Sequence, residues 1–541
     1  MTATTETTEP ARLSHRQILL LMVGLMTGML LAALDQTIVG TALPTIVGKL
    51  GGIEHYSWVV TAYLLASTAS TPLYGKISDL YGRRPVFLFA ISTFLVGSLL
   101  AGASQNMTEL IITRGIQGMG AGGLMTLAFT IISDVVSPRE RGRYQGLFGA
   151  VFGLSSVAGP LAGGYFADHN WRWIFYINVP LGLIALAVCY HVMRLIPFHK
   201  REHAIDWWGA LLLVAGVSSI LLGLSWGGNQ YAWGSVQIIG LFVIGGVLSL
   251  VFLYVESKMA EPILPLQLFR RRTFALANGA GFVFGLVMFG SIIFIPLYLQ
   301  IVKGASPTRS GLLMLPMMAG IIVTSVTSGR AISKIGRYKW FPVAGAATLI
   351  AGMLLFRQLQ VDTSMALASL YMVVIGVGLG LCMQALILAV QNAVEMRDLG
   401  AATSASTFFR ALGGSFGVAI LGTVLNSRLN TELAVRMKEA VAQLPPAMQA
   451  KFASGGGKIS INEPQRLKEL PDVIHSAISH AFVASLHTVF LTTALVAIIA
   501  LVLTLAMPNE ELRGPAAGSK PTEATPEDAA AEMEAQSQSM I

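Results

Sequence analysis

ILLLMVGLMTGMLLAALDQTIVGTALPTIV, running from Ile18 to Val47, is the stretch whose reading decides the fold. Ile18 to Leu34 carries no charge, nor does Gln36 to Val47, so Asp35 stands alone inside an apolar run long enough to cross a bilayer. A carboxylate at that depth costs about 2.5–3.5 kcal/mol on insertion scales and by default marks an ion or proton pathway. The alternative is an Asp at a helix end that snorkels to the head groups, against which both long apolar flanks argue. Asp35 is therefore the leading candidate for a functional residue.

The rest of the chain is of the same kind. Of 541 residues, 54% are hydrophobic and only 12% charged, with mean hydropathy +0.66. Soluble domains carry about 25% charged residues, so an integral membrane protein is expected. The net charge of +8 falls in connections between apolar runs, which turns an apparent nucleic-acid signal into membrane topology and excludes a nucleic-acid partner. Cys189 and Cys382 lie in separate apolar runs, without metal-ligand spacing or a disulfide framework.

Runs of about 20 apolar residues recur along the chain and predict fourteen spans. Their limits are 16–48, 56–76, 84–104, 108–134, 142–167, 172–195, 206–226, 236–256, 273–302, 309–332, 339–359, 365–394, 399–427 and 481–506. Alternate connections hold Arg83, Arg84, Arg139, Arg141, Arg143, Arg270, Arg271, Arg272, Arg337 and Lys339. The short connections between them hold only Lys49, Arg172, Lys303, Arg309 and Arg357. That asymmetry places both termini in the cytoplasm and the chain in the plasma membrane. Residues 1–15 form a polar tail with no small-residue cleavage site after the first run, so that run is expected to be retained.

GKISDLYGRR, Gly75 to Arg84, follows the second span, and GRAISKIGR, Gly329 to Arg337, follows the tenth. The echo predicts two matched six-span halves, 16–200 and 261–507, with residues 201–260 inserted between them as a two-helix hairpin. The connection 428–480 carries Leu433, Met437, Val441 and Leu444 at helical spacing, then Pro445-Pro446 and Gly455-Gly456-Gly457. It reads as an amphipathic continuation of the thirteenth span that caps the outer face, or as a docking surface for a cell-envelope partner. Residues 508–541 read as a disordered cytoplasmic tail.

Three motifs carry the chemistry. In the first, the glycines Gly75 and Gly82 permit a tight turn, while Asp79, Arg83 and Arg84, with Asp134 at the end of the fourth span and Arg141 or Arg143 in the following connection, are candidates for a charged latch that holds one access state; for the arginines the alternative is topology-setting charge. In the second, Arg114 opens RGIQGMGAGG in the fourth span, where glycines and Gln117 imply close helix contact and a polar surface. An arginine there either snorkels or keeps Asp35 charged until a proton or substrate competes. In the third, Gly149, Gly153, Gly159, Pro160, Gly163 and Gly164 make the fifth span bent and closely packed, suited to rocking between arrangements.

These motifs, in this order and on these spans, resemble the signature motifs of the major facilitator superfamily. LDQTIVGTALPTI in the first span, GPLAGG in the fifth and the span count resemble its fourteen-span drug:proton antiporter branch, with EmrB- and QacA-like multidrug exporters. The resemblance implies an all-α polytopic fold of two six-helix bundles plus the hairpin, alternating access around a central cavity, Asp35 as coupling protonation site, Arg114 as its assistant, and the fifth-span motif as the mark of an exporter.

Gln36, Tyr63, Gln117, Phe282, Phe289, Tyr298, Gln384, Gln391 and Arg410 are candidates to line that cavity. Arg410 alternatively snorkels, and His480 and His487 read as a helix-surface pair. The expected function is proton-coupled efflux of amphipathic, often cationic, compounds, with protons, cargo and the bilayer as partners and the proton motive force in place of a cofactor. Asp35 is expected to hold a proton or the cargo in competition. Lipid or envelope-precursor export and proton-coupled nutrient symport are the alternatives within the same fold. A membrane enzyme needs clustered acids or histidines, and an ATP-driven pump needs GxxxxGK[ST]; neither pattern occurs.

Overall fold

The computed structural model describes residues 14–50, 56–195, 206–228, 230–259, 262–445, 449 and 471–512. These residues form sixteen α-helices and no sheet. The first half comprises α1 (His15–Leu50), α2 (Tyr56–Tyr81), α3 (Arg83–Ala103), α4 (Met107–Val135), α5 (Pro138–His169), α6 (Trp173–Tyr176) and α7 (Asn178–Val192). A hairpin follows, α8 (Trp207–Trp226) and α9 (Val236–Glu256). The second half comprises α10 (Arg272–Ile301), α11 (Pro307–Leu313), α12 (Leu315–Ile335), α13 (Trp340–Phe356), α14 (Met365–Asn392), α15 (Leu399–Ala442) and α16 (Asp472–Ala506).

Twelve of the described helices are long and apolar enough to cross a membrane. The fourteen predicted spans therefore need qualification. α2 and α13 stand in two of the predicted places, but α2 carries Pro72, Lys76 and Asp79 among many hydroxyl residues, and α13 has only 17 residues. The sixth predicted span is broken between α6 and α7, and the tenth between α11 and α12. The thirteenth runs far beyond its predicted end: α15 is a single helix of 44 residues that includes Leu433, Met437 and Val441. Gly455–Gly457 and the tail from residue 513 lie outside the described residues.

Each half has its own packed interior. Leu25, Phe87, Phe94, Leu124, Phe129 and Phe148 centre one core, whereas Phe274, Met317, Phe356, Met372, Phe482 and Phe490 centre another. The outward side of α9 is apolar, with Val243, Val247, Leu250 and Tyr254 exposed, as a lipid-facing helix requires.

Contacts at the helix ends define one face of the bundle, called basal below. Tyr144 at the start of α5 bonds His15 at the start of α1 (3.3 Å). The Leu512 N–H, beyond α16, donates to the Gly336 carbonyl (2.8 Å), and Arg337 pairs with Glu511 (2.7 Å). The described ends nearest the two termini thus lie together on the basal face.

The two halves meet along two helix pairs that glycines bring close. On one side α2 meets α15: a Cβ on Gly75 would collide with the Ser404 side chain and lie 2.7 Å from the Gly400 carbonyl, and one on Gly400 would strike Asp79. On the other, α5 meets α12, where a Cβ on Gly142 would lie 2.6 Å from the Gly329 carbonyl and one on Gly146 2.7 Å from that of Ser325. Gly75 and Gly329 are the equivalent residues of the sequence echo, so the echo marks the same close crossing in each half.

Candidate functional site

Asp35 is completely buried and points into the first half. Arg114 Nη1 pairs with its Oδ2 (2.5 Å), Gln117 Nε2 donates to Oδ1 (2.8 Å), and Asn178 Nδ2 donates to the same oxygen (3.2 Å). α4 supplies both Arg114 and Gln117 because they are three residues apart on one helical face. Glycines let that helix approach its neighbours: a Cβ on Gly118 would collide with the Tyr63 backbone, and one on Gly97 would lie 2.5 Å from the Gln117 nitrogen. The guanidinium carbon of Arg114 sits 4.1 Å from the Tyr63 ring centroid, and the Tyr63 hydroxyl donates to the Ala32 carbonyl (3.2 Å). A buried charge pair holds together only when its spare donors and acceptors are also bonded, and this network supplies those bonds.

Asn178 is absent from the sequence-based candidates. It opens α7 after the break at Ile177, and it also donates to Ser98 Oγ (3.0 Å). The available signal is an amide in an apolar run two residues before Pro180.

A cavity of about 560 Å³ lies between the halves. Its walls come from Val60–Thr71 of α2, Thr407–Ser427 of α15 and Leu221–Gly228 of the hairpin, all in the part of the bundle away from the basal face. Of the nine cavity candidates, Gln36, Phe289 and Arg410 line it. The other six cavity candidates do not. Tyr63 and Gln117 are spent on the Asp35 network. Phe282 packs against Phe416 (5.6 Å between centroids), and the Tyr298 hydroxyl donates to the Gln360 carbonyl (3.1 Å). Gln384 is buried near Gly149 with neither amide atom bonded. Gln391 accepts from Gln145 Nε2 (2.9 Å), bridging the halves below the cavity.

Asp35 itself is not on the cavity wall, although its neighbour Gln36 is. Direct competition between proton and cargo at the carboxylate is therefore not what this conformation permits. The acid is enclosed by Arg114, Gln117 and Asn178. The wall is reached from it through Gln36 on α1, through α4, which carries two of these partners, and through α2, which carries Tyr63.

The hairpin is also part of the cavity. Trp226 packs edge-on against Trp58 (5.2 Å), and the Ser225 and Thr61 hydroxyls bond at 2.8 Å, so α8 covers the gap between α2 and α15 where they part above their basal crossing.

The basal end is closed by the charged motif. Arg83 pairs with Asp79 (2.5 Å) and Asp134 (2.6 Å), and the Ala401 N–H at the start of α15 donates to Asp79 Oδ2 (3.0 Å). An anion at a helix N-terminus is favoured by the free amides and the helix dipole, so Asp79 ties the first half to the second. Three arginines of the predicted latch behave differently. Arg84 lies over the Tyr190 ring (4.6 Å), on α7 of its own half. Arg143 contributes its backbone N–H to Ser333 Oγ (3.2 Å), with its guanidinium over Tyr144. Arg141 donates to the Ser133 carbonyl (2.6 Å) and approaches Met396 Sδ (3.6 Å). Arg139, not among the candidates, donates to the carbonyls of Ser333 (3.2 Å) and Lys334 (3.4 Å) at the end of α12. The second crossing therefore replaces a carboxylate with helix-end carbonyls.

The fifth-span motif forms a seam facing three helices. A Cβ on Gly149 would lie 2.6 Å from Ser325 Oγ, and one on Gly153 2.7 Å from Ile322, both on α12. Gly159 and Gly163 abut Thr37 and Ile38 of α1, while Gly164 and Pro160 face Thr308 and Gly311 of α11. Thr37 Oγ1 also donates to the Ser155 carbonyl (3.0 Å). The residues that follow Asp35 on α1 are thus in direct contact with α5. His480 is an exposed helix-surface residue, whereas His487 bonds the Leu359 carbonyl (2.6 Å).

Residues 25–418 match the sequence profile of the Major Facilitator Superfamily. The chain belongs to this superfamily. Among its relatives, the multidrug transporter protein MdtP of Bacillus subtilis (strain 168) is 41% identical over 502 residues, covering 90% of this chain and 92% of the relative. Multidrug resistance protein 3 of the same organism is 37% identical and covers 90% of this chain and 94% of the relative. Among solved structures, the human organic anion transporter MFSD10 (TETRAN) superposes with TM-score 0.59 at 14% identity, over 90% of this chain and 99% of that one. The proton:xylose symporter XylE bound to 6-bromo-6-deoxy-D-glucose superposes with TM-score 0.57 at 13% identity, over 92% and 98%. At such identities the structural likeness establishes the superfamily fold alone.

Proposed function

We propose that this protein is a multidrug exporter of the cell membrane that expels amphipathic small molecules in exchange for protons. The observation that carries the reading is the pairing of an amphipathic cavity of about 560 Å³, closed at its basal end, with the buried Asp35–Arg114 pair one residue from its wall. That volume lies within the range of small-molecule sites, roughly 300–1,000 Å³. Relatives covering nine-tenths of the chain carry multidrug names.

The basal face holds Arg83, Arg139, Arg141, Arg143 and Arg337, so it is assigned to the cytoplasm by the positive-inside preference. The cavity then faces outward in this conformation. A proton arriving from outside converts Asp35 to the neutral acid and leaves Arg114 without its charge partner. The network of Arg114, Gln117 and Asn178 must then rearrange. Because Thr37 and Ile38 abut Gly159 and Gly163, that rearrangement reaches α5 and through it α12. The Asp79–Ala401 and Arg139–Ser333 contacts are proposed to break as the basal crossings open and the outer crossings close. Cargo and proton thus oppose each other through two access states of the bundle. Each proton entering down about 150 mV supplies roughly 3.5 kcal/mol.

Reconstituted vesicles with an imposed pH gradient test this reading. The native protein should accumulate a fluorescent amphiphile against its gradient, and Asp35→Asn should lose the pH drive while still binding the probe. Undiminished gradient-driven accumulation by Asp35→Asn would remove the proposed coupling.

A further inference from the structure

Among the described residues, Arg410 is the one charged side chain on the cavity wall, and no described aspartate or glutamate joins it there. It is 9% exposed, it forms no hydrogen bond or ion pair with any described residue, and no described aromatic ring lies beneath it. Every other deeply buried arginine of the bundle is engaged: Arg114 with Asp35, Arg83 with two carboxylates, Arg141 with the Ser133 carbonyl. At 1.5 Å per residue, Arg410 sits about 16 Å along α15 from its basal start, well above the basal closure formed at Ala401. A guanidinium in the middle of a membrane normally faces a partner, because an isolated one is costly there.

We infer that the partner is the cargo: Arg410 forms a subsite for a carboxylate, sulfonate or comparably acidic group, so that the exporter takes anionic amphiphiles in preference to cations. This rests on the reading of the cavity as the cargo site. The planar fork of the guanidinium matches a carboxylate with two parallel N–H bonds. Around it, Phe289 and Met383 supply apolar surface and Thr407 a hydroxyl, as the rest of an amphiphile requires. A Cβ on Gly414 would strike the Phe289 ring, so this glycine lets the ring close down beside the arginine. The described wall is hostile to a cation, which meets a fixed positive charge and no carboxylate among the described lining residues.

The exchange also acquires a consistent charge balance. Export of a monovalent anion with entry of one proton moves two positive charges inward, so both the pH difference and the membrane potential drive it. The cationic cargo of the sequence reading would use the pH difference alone.

Three dansyl probes on one scaffold, ending in a carboxylate, a primary amide or a trimethylammonium group, test the subsite by fluorescence titration of the purified full-length protein. A charge-assisted hydrogen bond predicts that the carboxylate probe binds roughly 10- to 100-fold more tightly than the amide. Arg410→Met should erase that preference by weakening the carboxylate probe most and the amide less. The trimethylammonium probe, which gains nothing from a guanidinium, should bind at least as tightly as to the native protein and so reports that the variant is folded. Arg410→Lys should retain part of the preference. Equal binding of all three probes by the native protein, or equal weakening of all three in Arg410→Met, overturns the inference. Gradient-driven uptake into inverted vesicles is read separately. If the anion binds through Arg410 but no probe moves with the gradient, the subsite stands and the exporter reading falls.

Discussion

Replacing Gly75 with valine should drive the protein out of the conformation described here. The Cβ alone would collide with the Ser404 side chain and stand 2.7 Å from the Gly400 carbonyl. A side chain can turn away, but a helix backbone cannot, so α2 and α15 must separate at their basal crossing. Overpacking of a well-packed contact costs about 1–3 kcal/mol. Here that cost falls on the basally closed state alone, which shifts the balance between access states by about 5- to 150-fold. Spin labels at Tyr81→Cys and Met396→Cys, both exposed and on opposite sides of that crossing, report the separation by double electron–electron resonance. Native Cys189 and Cys382 are buried and should remain unlabelled. The expected result is growth of a longer-distance population by a factor in that range. Ser404→Gly should restore it partly, since the Gly400 carbonyl still obstructs. Gly115→Val, at a helical position with nothing within 4 Å, should change nothing. An unaltered distance distribution in folded Gly75→Val protein would refute the claim that this crossing closes the basal end.

Other outcomes follow from the same geometry. Arg83→Gln leaves Asp79 and Asp134 without their shared cation and should abolish gradient-driven efflux, whereas Arg84→Gln, whose side chain rests on Tyr190, should keep efflux within about twofold of native. Arg114→Ala strands a buried carboxylate and should destabilise the fold by about 3–5 kcal/mol, read as a lowered thermal midpoint in detergent. Leu224→Trp on the hairpin narrows the cavity and should exclude large cargo while sparing small cargo, measured as separate efflux rates; equal loss for both would mean that α8 is not a cargo wall.

Part of the site is legible in the sequence where chemistry has few alternatives. Asp35 and Arg114 sit in apolar runs where either charge alone is expensive, and the structure pairs them at 2.5 Å. Gly75 and Gly329 are equivalent positions inside α2 and α12, both at close helix crossings, and not the turn residues expected of them. The turns after these helices fall to Gly82 and Gly336, at φ 96° and 77°. The cavity was much less legible. Its helices are apolar on most sides, so periodicity says little about which face looks inward. Aromatic and amide residues drew the prediction to Tyr63, Gln384 and Gln391, yet much of the wall is made by residues such as Thr61, Thr68, Gly122 and Gly422 that look ordinary in a membrane span. The latch was half legible for a different reason. Asp79 finds its partner at the backbone of Ala401, 322 residues away, and a backbone amide leaves no trace in side-chain identity. Arg84 and Arg143 matched the charge pattern but are aimed at Tyr190 and Tyr144. The hairpin looked like an insertion between repeats, and nothing in its composition announced that Ser225 and Trp226 would seal the space between the halves.

The central claim is that one proton on Asp35 and one cargo molecule in the cavity oppose each other through the bundle. Proton release on cargo binding measures this directly: purified protein in weakly buffered detergent solution, a pH-sensitive dye, and addition of saturating cargo at a pH where the site is partly protonated. The account predicts a release of protons by the native protein that disappears in Asp35→Asn while cargo binding persists. Release of the same size from Asp35→Asn, or none from a native protein that demonstrably binds cargo, would contradict it.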